Sequence, residues 1–255
     1  MIRTTLKFSV LACAAAVFLT VLAAAPVRAM EAVPQAPVCR MYQGENSLEA
    51  LQARIAELRE ESLHNPGGEA DGCEKANIHY QLARLLPDQQ KQHLNTCIQL
   101  TQTAIDHDAR AGVAHFFKGL CLGRLGETKG IWGSLNIIGP FRESMEVAAS
   151  LDPALDSGGP HRALGRLYFK LPLVLGGDLG KSIEHLQKAV TFGPQYWENH
   201  FFLAESYYEN KQYAEARTEL QRAIDIESQL SGDPGHTIRS TELKGLMQAI
   251  ENHIH

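Results

Sequence analysis

The sequence predicts an all-α fold, a solenoid of stacked helical hairpins closed by a C-terminal capping helix. Three observations carry that reading. Trp197 to Ile226 has the spacing of two antiparallel helices joined by a tight polar turn, with small or bulky residues where such helices must approach or fill a gap. Counting Trp197 as position 1, these are Ala204 at 8, Tyr207 at 11, Tyr213 at 17, Ala216 at 20, Leu220 at 24 and Ala223 at 27. The same register recurs upstream, and self-similarity at a fixed period is the signature of a repeat array. Finally, Leu243, Leu246, Met247, Ile250 and Ile254 share one face of a last helix, as expected where an array covers its terminal apolar face.

The elements before the array are of a different kind. Arg3 and Lys7 precede a nearly unbroken apolar run from Phe8 to Ala25, and Val27-Arg28-Ala29 places small residues at −3 and −1. This pattern predicts a signal peptide over residues 1–29, cut after Ala29, and export to the periplasm or beyond. Cys13 makes a poor lipid-attachment site because the apolar run continues past it. Nothing later has the length and apolarity of a membrane span. Removing residues 1–29 takes three cations and no acid, so the mature charge is 21 − 29 = −8. An acidic chain with no basic stretch argues against nucleic acid. The 44% hydrophobic share over 255 residues suffices for a sizeable core.

Residues 30–45 are Pro-rich and read as a loose leader; the helical domain then spans 46–255. Asn46, with Glu49 three residues on, predicts a capping box for a helix carrying Leu48, Leu51, Ile55 and Leu58 to about Leu63. Asn65-Pro66-Gly67-Gly68 should end it. Repeats follow at about 76–108, 112–153, 158–194 and 197–228, and the capping helix at about 237–254. In the first, Cys97 and Ala104 match positions 20 and 27. The second has Gly119 at position 8, with Ala148 and Pro153 at 27 and 32 after about ten extra residues, GIWGSLNIIGPF. The third has Gly165 at 8, Tyr168 at 11, Ala189 at 27 and Pro194 at 32, with about five extra residues around LPLVLGG. Both insertions are expected in the turns between helices, and their apolar residues (Ile131, Trp132, Leu135, Ile137, Ile138; Leu173, Val174, Leu175) could wall a pocket.

Four cysteines remain after export, Cys39, Cys73, Cys97 and Cys121, and four allow three pairings. Cys97 and Cys121 fall midway along neighbouring helices, which favours Cys97–Cys121 and leaves Cys39–Cys73; free buried thiols are the alternative. No CxxC or near-neighbour pair suggests a metal centre. The run from Gly176 to Ser182 resembles a phosphate loop, but Leu175 stands where its first Gly belongs. Asp178 there is suited to capping a helix.

Candidate functional residues come from the register. His79, His115, His161 and His200 all occupy position 4. Stacked equivalents lie on the helix–helix distance scale of about 10 Å, too far for ligands bound about 2 Å from one metal, so packing or partner contact is the expectation. Positions 5, 9 and 12 line the inner face of such arrays. Here they are Tyr80 and Arg84, Phe116 and Leu120, Arg162, Arg166 and Phe169, then Phe201, Glu205 and Tyr208. Arginines among aromatics suit a peptide or an amphipathic ligand, with a carboxylate held by guanidinium and its apolar part covered by rings. No metal site, no cofactor and no catalytic group is expected, since the sequence has no HExxH and no nucleophile elbow.

The repeats, from about 76 to 227, resemble the tetratricopeptide superfamily, which implies a binding scaffold and not an enzyme. A narrower likeness lies in IGPFRESMEVAASLDP, SGGPHRALGRLYFKLP and GGDLGKSIEHLQKAVTFGP. These segments resemble the T-component family associated with tripartite (TRAP) transporters. That resemblance implies an exported, non-enzymatic partner of a periplasmic solute-binding protein, with hydrophobic or organic-acid ligands and a capacity for homo-oligomerisation. The sequence departs from that family in lacking a convincing lipid-attachment Cys.

Overall fold

The computed structural model describes residues 39–64, 71–230 and 236–254, with side chains unassigned at a few of them. The predicted signal peptide, most of the leader, the Asn65–Gly68 stop and residues 231–235 lie outside the described residues.

Helix α1 (Leu48–His64) packs Leu51, Ile55 and Leu58 onto α2. Its cap is Ser47 and not Asn46: the Ala50 N–H donates to Ser47 Oγ at 3.3 Å and the Leu51 N–H to Ser47 O at 3.0 Å. The helix therefore starts one residue later than the capping-box pattern suggests. Helix α2 (Asp71–Leu85) ends before a 3-10 turn at Pro87–Gln89 and pairs with α3 (Gln90–His107). Helix α4 (Gly112–Glu127) pairs with α6 (Leu135–Leu151), with the short α5 (Gly130–Gly133) between them. Helix α7 (Leu155–Lys170) pairs with α8 (Leu179–Phe192), and α9 (Trp197–Glu209) with α10 (Tyr213–Ser228). The last helix, α11 (His236–Ile254), packs on α10 and α9. Each second helix also touches the next first helix, and the first helices α2, α4, α7 and α9 touch in series. The chain is an all-α solenoid.

Small residues at position 8 set the closeness of each hairpin. Ala83 and Ala204 are fully buried. A Cβ on Gly119 would stand 2.7 Å from Met145 Cε, and one on Gly165 2.5 Å from Leu186 Cγ. Leu243 and Ile250 of α11 complete the last core cluster with Ala204, Ala216, Leu220 and Ala223, and Leu246 and Met247 pack against it. Ile254 is exposed and takes no part, because the helix ends there.

The two insertions differ from each other. The first is not a turn. Gly130–Phe141 forms α5 and the opening of α6, so the second helix of unit two is delayed, as the spacing predicts, and at 17 residues it has an ordinary length beside the 16 of α10. The second is a 3-10 turn, Leu173–Leu175, closed by Gly176 at φ +92° and by bonds from Gly177 N–H to Pro172 O and Asp178 N–H to Tyr168 O, both 3.0 Å. Asp178 caps α8, its Oδ1 accepting from the Lys181 N–H at 3.0 Å. The structure joins Cys39 to Cys73 and Cys97 to Cys121, with Cα–Cα distances of 5.3 and 6.4 Å. The second bridge ties unit one to unit two; the first ties the chain before α1 to α2.

Candidate ligand cleft

A cleft of about 480 Å³ opens between units two and three. Helix α4 supplies one wall (Leu120, Gly123, Arg124, Gly126, Glu127), and α7 another (Ala163, Arg166, Leu167, Lys170). Gly130 of α5, then Ser134, Ile137, Ile138 and Phe141 leading into and along α6, close the side. Tyr80 reaches in from α2, and Leu171 ends the α7 wall. Of the apolar residues expected to wall a pocket from the first insertion, Ile137 and Ile138 do so, Leu135 is exposed and outside the lining, and the side chains of Ile131 and Trp132 lie outside the described ones; the second insertion contributes only Leu171 at its edge. Leu173 and Val174 are each 85% exposed and are not among the residues that line the cleft.

Glycines shape this wall. A Cβ on Gly123 would meet the Phe141 ring at 2.8 Å, and one on Gly126 would meet Ser134 Cβ at 3.3 Å. Bare backbone on that face of α4 lets the start of α6 lie close against it.

The predicted inner-face residues separate into three groups. Tyr80, Leu120 and Arg166 reach the cleft. Arg166 is held there: it donates to Glu205 Oε2 at 2.6 Å and lies over the rings of Phe202 (4.0 Å) and Phe169 (4.8 Å). Burial raises the Glu205 carboxyl above its usual range, against the pull of Arg166. Burial likewise raises the Tyr80 phenol. Arg84 is exposed and bonds along its own helix to Gln81 at 3.2 Å.

The others build structure. Phe116 is 1% exposed and lies in the core against Phe117, a correction to its assignment as a lining residue. Phe201 and Tyr208 pack on the cluster completed by α11, and Tyr208 meets the His253 ring at 5.7 Å. The capping helix thus occupies the inner face of unit four.

Arg162 is also committed, at the junction of units three and four. Its guanidinium donates to Asp156 Oδ2 (2.6 Å), Asp156 O, Ser157 O and Asn199 Oδ1 (3.1 Å), and it lies 4.3 Å from the Tyr196 ring centroid. Asp156, Ser157 and Gly158 all have positive φ (50°, 55°, 81°). Two non-glycine residues in the left-handed region cost about 1–2 kcal/mol each. Arg162 and Asn199 hold them there: Asn199, fully buried, donates through Nδ2 to Ser157 O, Ala189 O and Gly193 O, each at 2.9 Å. Register reasoning missed Asn199. A polar residue at position 3, next to the position-4 His, was the available signal.

The position-4 histidines do not meet one another. Two of them pair within their own hairpins instead: His79 Nδ1 with His93 Nδ1 at 2.8 Å, and His161 Nδ1 with His185 Nδ1 at 3.1 Å. The ring centroids lie 5.1 and 5.4 Å apart, so the rings meet nitrogen to nitrogen, as an N–H···N hydrogen bond requires. Burial pushes His79 and His161 down to about 4, and lowers His93 and His185 as well. His200 spans Pro194 O and Glu219, and His115 donates to Ala109 O. Among the described residues, no group of three His, Cys, Asp or Glu side chains could hold a metal ion.

A tetratricopeptide-repeat family model matches residues 173–230, the second helix of unit three and all of unit four. A comparison with curated proteins returned no match. The match coincides with the most regular part of the array. It supports a tetratricopeptide-repeat protein, a class that serves as an interaction scaffold.

Proposed function

We propose that this chain is an exported, non-enzymatic tetratricopeptide scaffold that binds a segment of a protein partner on its inner face, as an accessory to a TRAP-type solute transporter. The observation that carries the binding claim is the cleft between α4 and α7, where Tyr80, Leu120 and Arg166 converge at the positions such repeats use for partners. The Leu173–Val174 tip, two residues beyond Leu171, extends apolar surface from its edge. Export is supported by the signal-like N-terminus and by two disulfides, bonds that persist in oxidising compartments. Among the described residues no helix is long and apolar enough to cross a membrane. The transporter link rests on the likeness in units two to four. Affinity capture of the mature protein from its native envelope tests this reading. Recovery of a solute-binding protein by the wild type, and its loss with Arg166→Ala/Leu173→Ser/Val174→Ser, is the expected result. Equal recovery by both proteins overturns it.

The second reading is binding of a small amphipathic ligand in the same cleft. It is favoured by confinement: α11 covers unit four's inner face and the α5–α6 wall closes the cleft's side. The cleft between α4 and α7 is in the size range of small-molecule sites.

A further inference from the structure

The mouth of the cleft holds a carboxylate of the protein's own. Glu127 Oε2 lies 3.0 Å from Arg124 Nη1, and Glu127 Oε1 lies 3.7 Å from Lys170 Nζ, so one acid bridges two cations from different helices. All three side chains line the pocket. The hold is weak. Arg124, Glu127 and Lys170 are 42%, 53% and 59% exposed, and exposed pairs are worth about 0–1 kcal/mol. Glu127 also sits in the last turn of α4, where the helix dipole disfavours a negative charge. Deeper in, Arg166 is already neutralised by Glu205 at 2.6 Å, in a more buried pair. The exchangeable positive charge of the cleft is therefore at its mouth, and the wall behind it is apolar (Leu120, Ile137, Phe141, Leu167).

We propose that the cleft takes a linear amphipathic monocarboxylate, whose chain enters between α4 and α7 and whose carboxylate displaces Glu127 from Arg124 and Lys170. The proposal rests on the small-ligand reading above. Glu127 is then a placeholder: it keeps the two cations paired in the empty protein and competes with the ligand's head group. The mouth selects the charge of the head, and the apolar wall accepts any chain that fits.

Sodium decanoate, decan-1-ol and decyltrimethylammonium are the probes, titrated calorimetrically into full-length mature protein below their aggregation concentrations. The wild type should bind decanoate at least about tenfold more tightly than the alcohol and should not bind the cation. Glu127→Gln should tighten decanoate about threefold, the scale of one exposed ion pair, and leave decanol unchanged. Arg124→Gln/Lys170→Gln should bring decanoate down to the affinity of decanol. All three sites are on the surface, so unchanged circular-dichroism melts establish that the variants fold. Equal affinity for acid and alcohol in the wild type, or decanoate binding untouched by Glu127→Gln, overturns the head-group assignment while leaving an apolar cleft. Failure of every probe to bind the folded wild type overturns the small-ligand reading itself.

Discussion

Units one and two are joined differently from units three and four. Between α3 and α4 the contact is apolar and covalent: Leu94, Cys97, Phe117 and Cys121 share one core cluster, and the Cys97–Cys121 bridge crosses it. Between α8 and α9 the contact is polar and fully satisfied. Ser182 Oγ donates to Gly165 O and meets Ser206 Oγ, both at 2.9 Å, while Asn199 and Arg162 tie Ser157, Ala189 and Gly193 into one network. An apolar junction loses stability in proportion to what is removed from it. A buried polar junction loses more, because each deleted partner leaves unpaired groups without water. The C-terminal half should therefore be the more brittle, although it is the more regular.

The largest effect that would test this contrast is Asn199→Ala. It removes one of two donors from each of Ser157 O, Ala189 O and Gly193 O and one acceptor from Arg162, at about 1 kcal/mol for each lost bond. A loss of about 4 kcal/mol in urea unfolding is expected, with hydrogen exchange rising first in α8 and α9. A loss below about 1 kcal/mol would show that the network is incidental. Next, Cys97→Ala/Cys121→Ala opens a bridge between residues 24 apart. It should cost about 3 kcal/mol by loop entropy, with exchange rising in α3 and α4 and not in α9.

Acidification should act on both halves. His79 and His161 are neutral in the fold and protonate only near pH 4, whereas in the unfolded chain they protonate near 6.5. Below 6.5 the unfolded state binds more protons, so stability is fully present above that pH and falls as pH drops towards about 4. Melting temperature measured between pH 7 and pH 4 should decline, and less steeply in His79→Gln/His161→Gln than in the wild type. Smaller still, Asp178→Ala removes the α8 cap and should cost about 1 kcal/mol. Leu173→Ser/Val174→Ser should change stability by less than about 0.5 kcal/mol, because both side chains are already in solvent; a larger loss would mean that the tip packs on something.

The helices and the register were legible from residue spacing alone. Gly119, Gly165, Ala204, Ala216 and Ala223 are small because neighbouring helices leave no room at those points, and that requirement repeats at fixed intervals. Asp178 was readable as a cap because its role is local. The cleft was half legible: the register put Tyr80, Leu120 and Arg166 on one face, and the apolar content of 131–141 marked a wall. Phe116, Arg162, Phe201 and Tyr208 occupy the same register positions yet serve the core, a backbone clamp and the covered end.

The sequence by itself therefore determined the all-α hairpin array, because helical periodicity and close-approach residues are local and repeat along the chain. Only the tertiary structure decided which lining positions stay open. That depends on α11 folding back over α9 and α10, on α5 and α6 lying against the glycines of α4, and on which buried donors find acceptors. Those are contacts between residues far apart in the chain, and no spacing within one repeat encodes them.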